Sequence, residues 1–180
     1  MKNINTINLQ SKMTFLMLFL LFTLPISANA QESTVISSAK ITFVYTSNDT
    51  EGSIAGFSSS TSLNLENPER SVFKGKVQTE TIETGNFLRN WSLRGSKYFD
   101  VDTYPTISFN STSVTVTDRG YTVKGDLTIK KTTKAITITF IRNGKKLTGT
   151  TTLYSSDYGI DIKKNRADNK VTVQMVFSLK

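Results

Sequence analysis

Tyr121-Thr122-Val123-Lys124-Gly125-Asp126-Leu127-Thr128-Ile129-Lys130 decides the fold class, because every odd position is apolar or glycine and every even one is polar. Successive side chains leave a strand on opposite faces, so strict alternation marks a half-buried strand. A helix would need apolar residues at three- and four-residue spacing. Ile136, Ile138 and Phe140 repeat the pattern against Thr137 and Thr139. So do Val171, Val173, Met175, Phe177 and Leu179 at the C-terminus.

Working outward, the pattern predicts strands near 34–45, 53–65, 71–82, 106–117, 120–130, 134–142, 145–154 and 170–179. Asp118-Arg119-Gly120 and Asn143-Gly144 are short links whose residues tolerate positive φ, so their flanking strands should form hairpins. Asn67-Pro68-Glu69-Arg70 reads as a further turn. Eight strands with tight links describe a meander, and a meander removes its exposed edges by closing into an eight-stranded antiparallel barrel. A two-sheet sandwich satisfies the same alternation. A membrane barrel with its apolar face outward would crowd Lys124, Asp126 and Lys130 into a narrow lumen.

Two segments break the pattern. In Glu83 to Phe99, Phe87 and Leu88 stand four and three residues before Trp91 and share a helical face, and Gly95 follows as a stop. A short helix near 86–94, packed over one opening, is predicted there. The polar stretch Asp157 to Asn169 reads as a mobile surface loop.

The first thirty residues stand apart from these strands. Lys2 and Lys12 give a positive start, Met13 to Leu24 is apolar apart from Thr14 and Thr23, and Pro25 ends the run. Ala28-Asn29-Ala30 then supplies small side chains at the cleavage positions of a signal peptide. The run falls short of the roughly 18 to 20 residues a membrane helix needs. Cleavage is expected after Ala30, leaving one domain over 31–180 in the periplasm or outside the cell.

Composition excludes much chemistry. The chain has no Cys and no His, so neither a His-based catalytic triad nor thiolate or imidazole zinc ligands can be assembled. Asp100 and Asp102 are too few for a calcium cage and suit a turn before Tyr104-Pro105. Ser155, Ser156 and Asp157 have no general base beside them in sequence. An enzyme is not expected, nor a metal or cofactor. The net charge of +8 is compatible with nucleic acid, anionic lipid or plain solubility. Export argues against nucleic acid.

The interior is the informative part. An eight-stranded barrel is either filled by its own side chains or holds one small ligand. Gly75, Gly125 and Gly149 fall where the alternation demands an inward side chain and are expected to leave local space. Residues alone leave open a hollow binder and a filled, non-enzymatic structural or interaction module for adhesion or stress response.

Several motifs then coincide in order. Ile82-Glu83-Thr84-Gly85-Asn86 is followed by Arg89, Leu93-Arg94, Tyr98-Phe99-Asp100-Val101 and Tyr104-Pro105-Thr106-Ile107-Ser108-Phe109. Val123 to Ile129, Thr133-Lys134 and Ser156-Asp157-Tyr158-Gly159-Ile160 complete the set. From about Ile41 to the C-terminus the chain resembles the YceI-like family of exported polyisoprenoid-binding proteins. The resemblance implies a lipocalin-like barrel in the periplasm that encloses an isoprenoid chain and has no metal or catalytic residue. It also places the helix over the opening at Asn86–Gly95. Several stretches depart: Asn90-Trp91-Ser92-Leu93 stands where the family has Asp-x-His-Leu, and Tyr154-Ser155 where it has Asn-Arg. Thr46–Thr50 replaces basic residues near the first strand, and the link before Leu147 is shorter.

Alternation, the helix and the resemblance together nominate an apolar lining. Its members are Phe73, Leu88, Trp91, Leu93, Phe99, Phe109, Tyr121, Val123, Leu127, Ile129, Ile138, Phe140, Met175 and Phe177. The expected partner is a long-chain isoprenoid or lipid, without insertion of the protein into the membrane. A homodimer is compatible with the sequence and not required by it.

Overall fold

The computed structural model describes residues 36–64 and 66–180; the expected leader lies outside them. The strands are β1 (Ile36–Tyr45), β2 (Thr50–Ile54), β3 (Ser58–Ser59), β4 (Lys74–Gln78), β5 (Thr106–Thr117), β6 (Gly120–Ile129), β7 (Thr132–Asn143), β8 (Lys146–Tyr154) and β9 (Lys170–Leu179). One α-helix, α1 (Phe87–Arg94), lies between β4 and β5. All pairings are antiparallel, in the order β2-β1-β9-β8-β7-β6-β5-β4-β3.

The alternation reads through into burial. On β6, Tyr121, Val123, Gly125, Leu127 and Ile129 are buried and the residues between them are not. Both predicted hairpins form, closing at the pairs Thr117–Gly120 and Asn143–Lys146. Only Gly144 of the second link takes the left-handed conformation, at φ 56°.

The expected closed barrel does not form. The sheet is a curled, open half-barrel of nine strands. The reason lies in 53–65, expected as one strand. Gly56 turns the chain into the left-handed region at φ 68°, and β2 ends before β3 begins. No ladder joins β2 to β4 across this seam, which is held by separate bonds. Gln78 N donates to Ala55 O at 3.0 Å, Ala55 N donates to Thr81 Oγ1 at 2.8 Å, and Ser53 and Glu83 exchange backbone bonds at 2.8 and 3.0 Å. Occupying edge groups in this way protects an open sheet from pairing with other chains. The expected strand 71–82 also shortens to β4, since Val72 makes only an isolated bridge to Ser62 and Thr79–Thr81 coils into a 3-10 turn. Asn67-Pro68-Glu69-Arg70 likewise contains a 3-10 turn.

Two further irregularities shape the sheet. The β5–β6 register shifts between Ser111 and Ser113, a bulge that moves the inward set from odd positions (Ile107, Phe109) to even Val114. The β7–β8 ladder covers only Thr139–Asn143 against Lys146–Thr150, so the two strands part beyond it. There the Thr151 hydroxyl bridges the gap, donating to Thr137 O at 2.8 Å.

The stretch 157–169, expected as a mobile loop, is instead organised. Two 3-10 turns frame it, and Tyr158, Ile160 and Asn169 are buried. The Asn169 carboxamide accepts from Ile162 N and Lys163 N and donates to Lys163 O and Asn165 O, all within 3.0 Å. A single side chain therefore satisfies four backbone groups that an unordered loop would give to water. Nothing in sequence spacing marks Asn169 for this role.

Candidate functional site: an apolar cavity open at the helix end

Antiparallel order puts the β5–β6 and β7–β8 hairpins at one end of the sheet. That end is packed solid: Leu63, Val123 and Leu147 are fully buried, with Leu179 beside them. Phe73 stacks on Phe140 at 5.1 Å between centroids and meets Tyr121 at 5.9 Å, while Phe177 stacks on Phe57 at 5.1 Å. The opposite end carries α1, the β1–β2 turn and the loop before β9. Here the sheet is hollow, around a cavity of about 430 Å³.

Its wall is almost entirely hydrocarbon. Ile41, Phe43, Ile107, Ile136, Leu153, Val171 and Val173 line it together with most of the nominated residues. Phe73, Leu93, Phe99, Phe109, Leu127, Ile129, Ile138, Phe140, Met175 and Phe177 face it. Four nominated residues do not. Tyr121 and Val123 are buried below the floor, because β6 begins at the packed end. Leu88 and Trp91 are each 73% exposed and point to solvent.

The helix explains that last result. Phe87, Leu88 and Trp91 do share a face, but that face is outward; Arg89, Ser92 and Leu93 contact the cavity instead. Asn90 sets the rotation. It is buried, its Oδ1 accepts from Thr84 N and Thr84 Oγ1 at 2.9 and 2.7 Å, and its Nδ2 donates to Glu83 Oε1 at 2.5 Å. The Asn86 side chain caps the helix by accepting from Arg89 N at 2.9 Å. Glu83 also accepts from Thr84 N and Gly85 N. The Asn90 amide, with these backbone donors, holds its carboxyl below the usual carboxylate range.

The inward glycines behave differently from the expectation that they leave space. A Cβ on Gly149 would stand 2.4 Å from the Phe140 ring, one on Gly125 2.5 Å from the Phe109 ring, and one on Gly75 2.8 Å from the Phe57 ring. Each glycine is a seat for an aromatic ring that would otherwise project toward the axis.

Polar groups gather at the rim. Asn48, Thr50, Thr84, Arg89 and Ser92 line the mouth. Ser92 thus lies at the opening. Ser155 is buried and donates to Ile160 O at 2.8 Å. Lys74 and Lys76 adjoin the cavity from β4 positions whose side chains are exposed. Among the described residues no carboxylate lines the cavity and no metal-binding cluster forms. Tyr158, beneath the rim, has its phenol pushed up to about 12, chiefly by burial.

Residues 27–179 match the YceI-like domain family. The chain belongs to the YceI-like family. Members of this family are non-catalytic binding proteins, typically periplasmic or secreted. A UPF0312 protein of Ectopseudomonas mendocina is 31% identical over 139 residues, covering 71% of this chain and 72% of that one. A UPF0312 protein of Yersinia enterocolitica is 32% identical over 98 residues, which is 48% of its length. Among solved structures, Burkholderia cenocepacia BcnA superposes with a TM-score of 0.64 at 23% identity, covering 81% of this chain and 98% of that one. A polyisoprenoid-binding domain from Saccharophagus degradans, implicated in plant cell wall breakdown, superposes at TM-score 0.52 and 13% identity, covering 82% and 97%. These identities establish a shared YceI-like fold. No helix among the described residues is long and apolar enough to cross a membrane.

Proposed function

We propose that this YceI-like protein is an exported carrier that holds one long-chain amphiphile, of the polyisoprenoid class, with its tail in the cavity and its polar end at the rim. The signal-peptide pattern over 1–30, with its cleavage position after Ala30, supports export. The observation that carries the reading is the asymmetry of the interior. One end is packed with buried aliphatic and aromatic side chains, whereas the other opens on a cavity of about 430 Å³ with hydrocarbon walls. An apolar void of about 150 Å³ already holds an aromatic guest in another protein. The present cavity lies within the 300–1,000 Å³ or so of ordinary ligand sites. Burial of each methylene contributes about 0.8 kcal/mol in transfer terms, before ordering costs. Arg89, Ser92 and Thr84 suit a tethered polar or anionic head group. The relationship to a polyisoprenoid-binding domain supports the choice of tail.

The test is organic extraction of protein purified from its own host, followed by mass spectrometry. A stoichiometric isoprenoid or related lipid is the expected result. Repeated extractions without lipid, together with failure of added polyprenyl phosphate to bind, would refute the proposal.

A further inference from the structure

The outer face of α1 is unexplained by the cavity. Phe87 is 79% exposed, and Leu88 and Trp91 are 73% exposed, whereas most other large apolar side chains among the described residues are buried or half-buried. We infer that this face is a docking element that seats the cavity mouth on an anionic phospholipid bilayer.

Three observations point to a bilayer. The first is composition: Asn86 to Lys97 presents the exposed cations Arg89 and Lys97 with no carboxylate, beside Phe, Leu and Trp, while the Arg94 guanidinium turns inward and donates to Ile82 O at 2.9 Å. That combination suits an interfacial helix, whose aromatic and aliphatic side chains enter the headgroup boundary while its cations meet lipid phosphates. Without the leader's Lys2 and Lys12, the net charge of +8 becomes +6 in the exported chain. Continuity is the second. The adjoining side of the same helix, through Arg89, Ser92 and Leu93, forms the rim, so insertion of the apolar face brings the opening to the lipid. Ile162, lining the cavity yet 39% exposed, adds a second apolar contact beside Lys163 and Lys164. Scale is the third. Three side chains on an eight-residue helix fall far below the roughly 20 to 30 residues a side of a stable protein interface. A lipid surface needs no such area, because the apolar groups partition individually.

The inference rests on the carrier reading, since a docked mouth lets a lipid tail pass between bilayer and cavity without crossing water. Its readout is independent of cargo. Trp91 is the sole tryptophan of the chain, so its emission reports this face alone. The experiment titrates the exported protein with vesicles of phosphatidylglycerol and phosphatidylcholine, and with phosphatidylcholine alone. It follows Trp91 emission, quenching by brominated acyl chains, and co-sedimentation. A blue shift, acyl-chain quenching and tighter binding to the mixed vesicles are expected. Phe87→Ser/Leu88→Ser should weaken binding at least about tenfold while leaving circular dichroism and lipid loading unchanged.

An unshifted emission on every vesicle overturns the inference. So does binding indifferent to the double substitution. A blue shift that grows with protein concentration in the absence of vesicles also overturns it and assigns the face to a second copy. Extracted protein without lipid but with intact vesicle binding removes the carrier reading alone. Stoichiometric lipid with no vesicle binding removes this inference alone.

Discussion

Replacing Gly149 with alanine tests whether ring seating makes the cavity. The new Cβ would lie 2.4, 2.7 and 3.0 Å from three carbons of the Phe140 ring, and contacts under 3.0 Å force movement. Phe140 is 2% exposed and stacked on Phe73 at a 19° interplanar angle, with Phe177 at 6.1 Å, so it cannot retreat into the packed end. It can only swing toward the cavity, which it lines. Overpacking of this kind costs about 1–3 kcal/mol. Loss of glycine's freedom in the unfolded chain returns about 0.4–1 kcal/mol. A net loss of about 1–2 kcal/mol corresponds to a fall in Tm of about 2–8 °C for a domain of this size. Urea melts and calorimetry measure the stability, and lipid extraction measures the occupancy, which should fall as the ring enters the void. Phe140→Leu removes the clash, so the double variant should show a favourable coupling above about 0.5 kcal/mol in a double-mutant cycle. Additive effects, or a Gly149→Ala protein with wild-type Tm and full lipid loading, would show that the ring does not depend on the glycine.

Three further outcomes follow from the loops and the wall. Asn169→Ala strands four backbone partners in a fully buried site and should cost at least about 2–3 kcal/mol, with amide exchange rising first over 160–170. Asp157 is held below the usual carboxylate range by its paired hydrogen bonds from Arg166, both 2.7 Å, with the guanidinium 3.7 Å over the Tyr154 ring. A depressed folded pKa gives stability that is present above the ordinary carboxylate range and lost as pH falls through the folded value. Asp157→Asn should therefore flatten the acid limb of a Tm-against-pH profile below about pH 4, while changing neutral stability by less than about 1 kcal/mol. Leu127→Trp places a larger ring into the cavity and should reduce bound lipid in native mass spectra well before it reduces Tm, because the void accepts the added volume.

What could be read from sequence was whatever depends on a strict period. Alternation on β6, β7 and β9 gave the inward faces correctly, since a one-residue error would put Val123 or Phe140 in water. Closure was not legible. Whether 53–65 is one strand or two depends on Gly56 turning left-handed and on backbone bonds to Gln78 and Glu83, partners distant in sequence. The helix was legible as an element, and its apolar face was legible as a face. Its direction was not, because rotation is set by Asn90 finding Glu83 and Thr84, and polar side chains carry no periodic signal. The cavity wall was partly legible for the same reason. Strand positions such as Leu127 and Met175 follow from the period, whereas Ile160 and Ile162 come from a stretch with no period at all.

The hollow itself follows from how the aromatic residues are distributed. Phe57, Phe109 and Phe140 each lie against a strand glycine, so their bulk is absorbed into the wall. At the packed end Phe73, Phe140, Phe177 and Phe57 form a continuous row of rings that makes a floor. Toward the mouth β7 and β8 separate beyond Thr139 and Thr150, and Thr151 spans the gap instead of a ladder. Widening at one end and flattened rings on the wall together leave an axial space that the aliphatic side chains of Ile107, Leu127, Ile136 and Val173 do not reach across. Glycines therefore open this interior indirectly: they hold none of the void themselves, and withdraw into the sheet the rings that would close it.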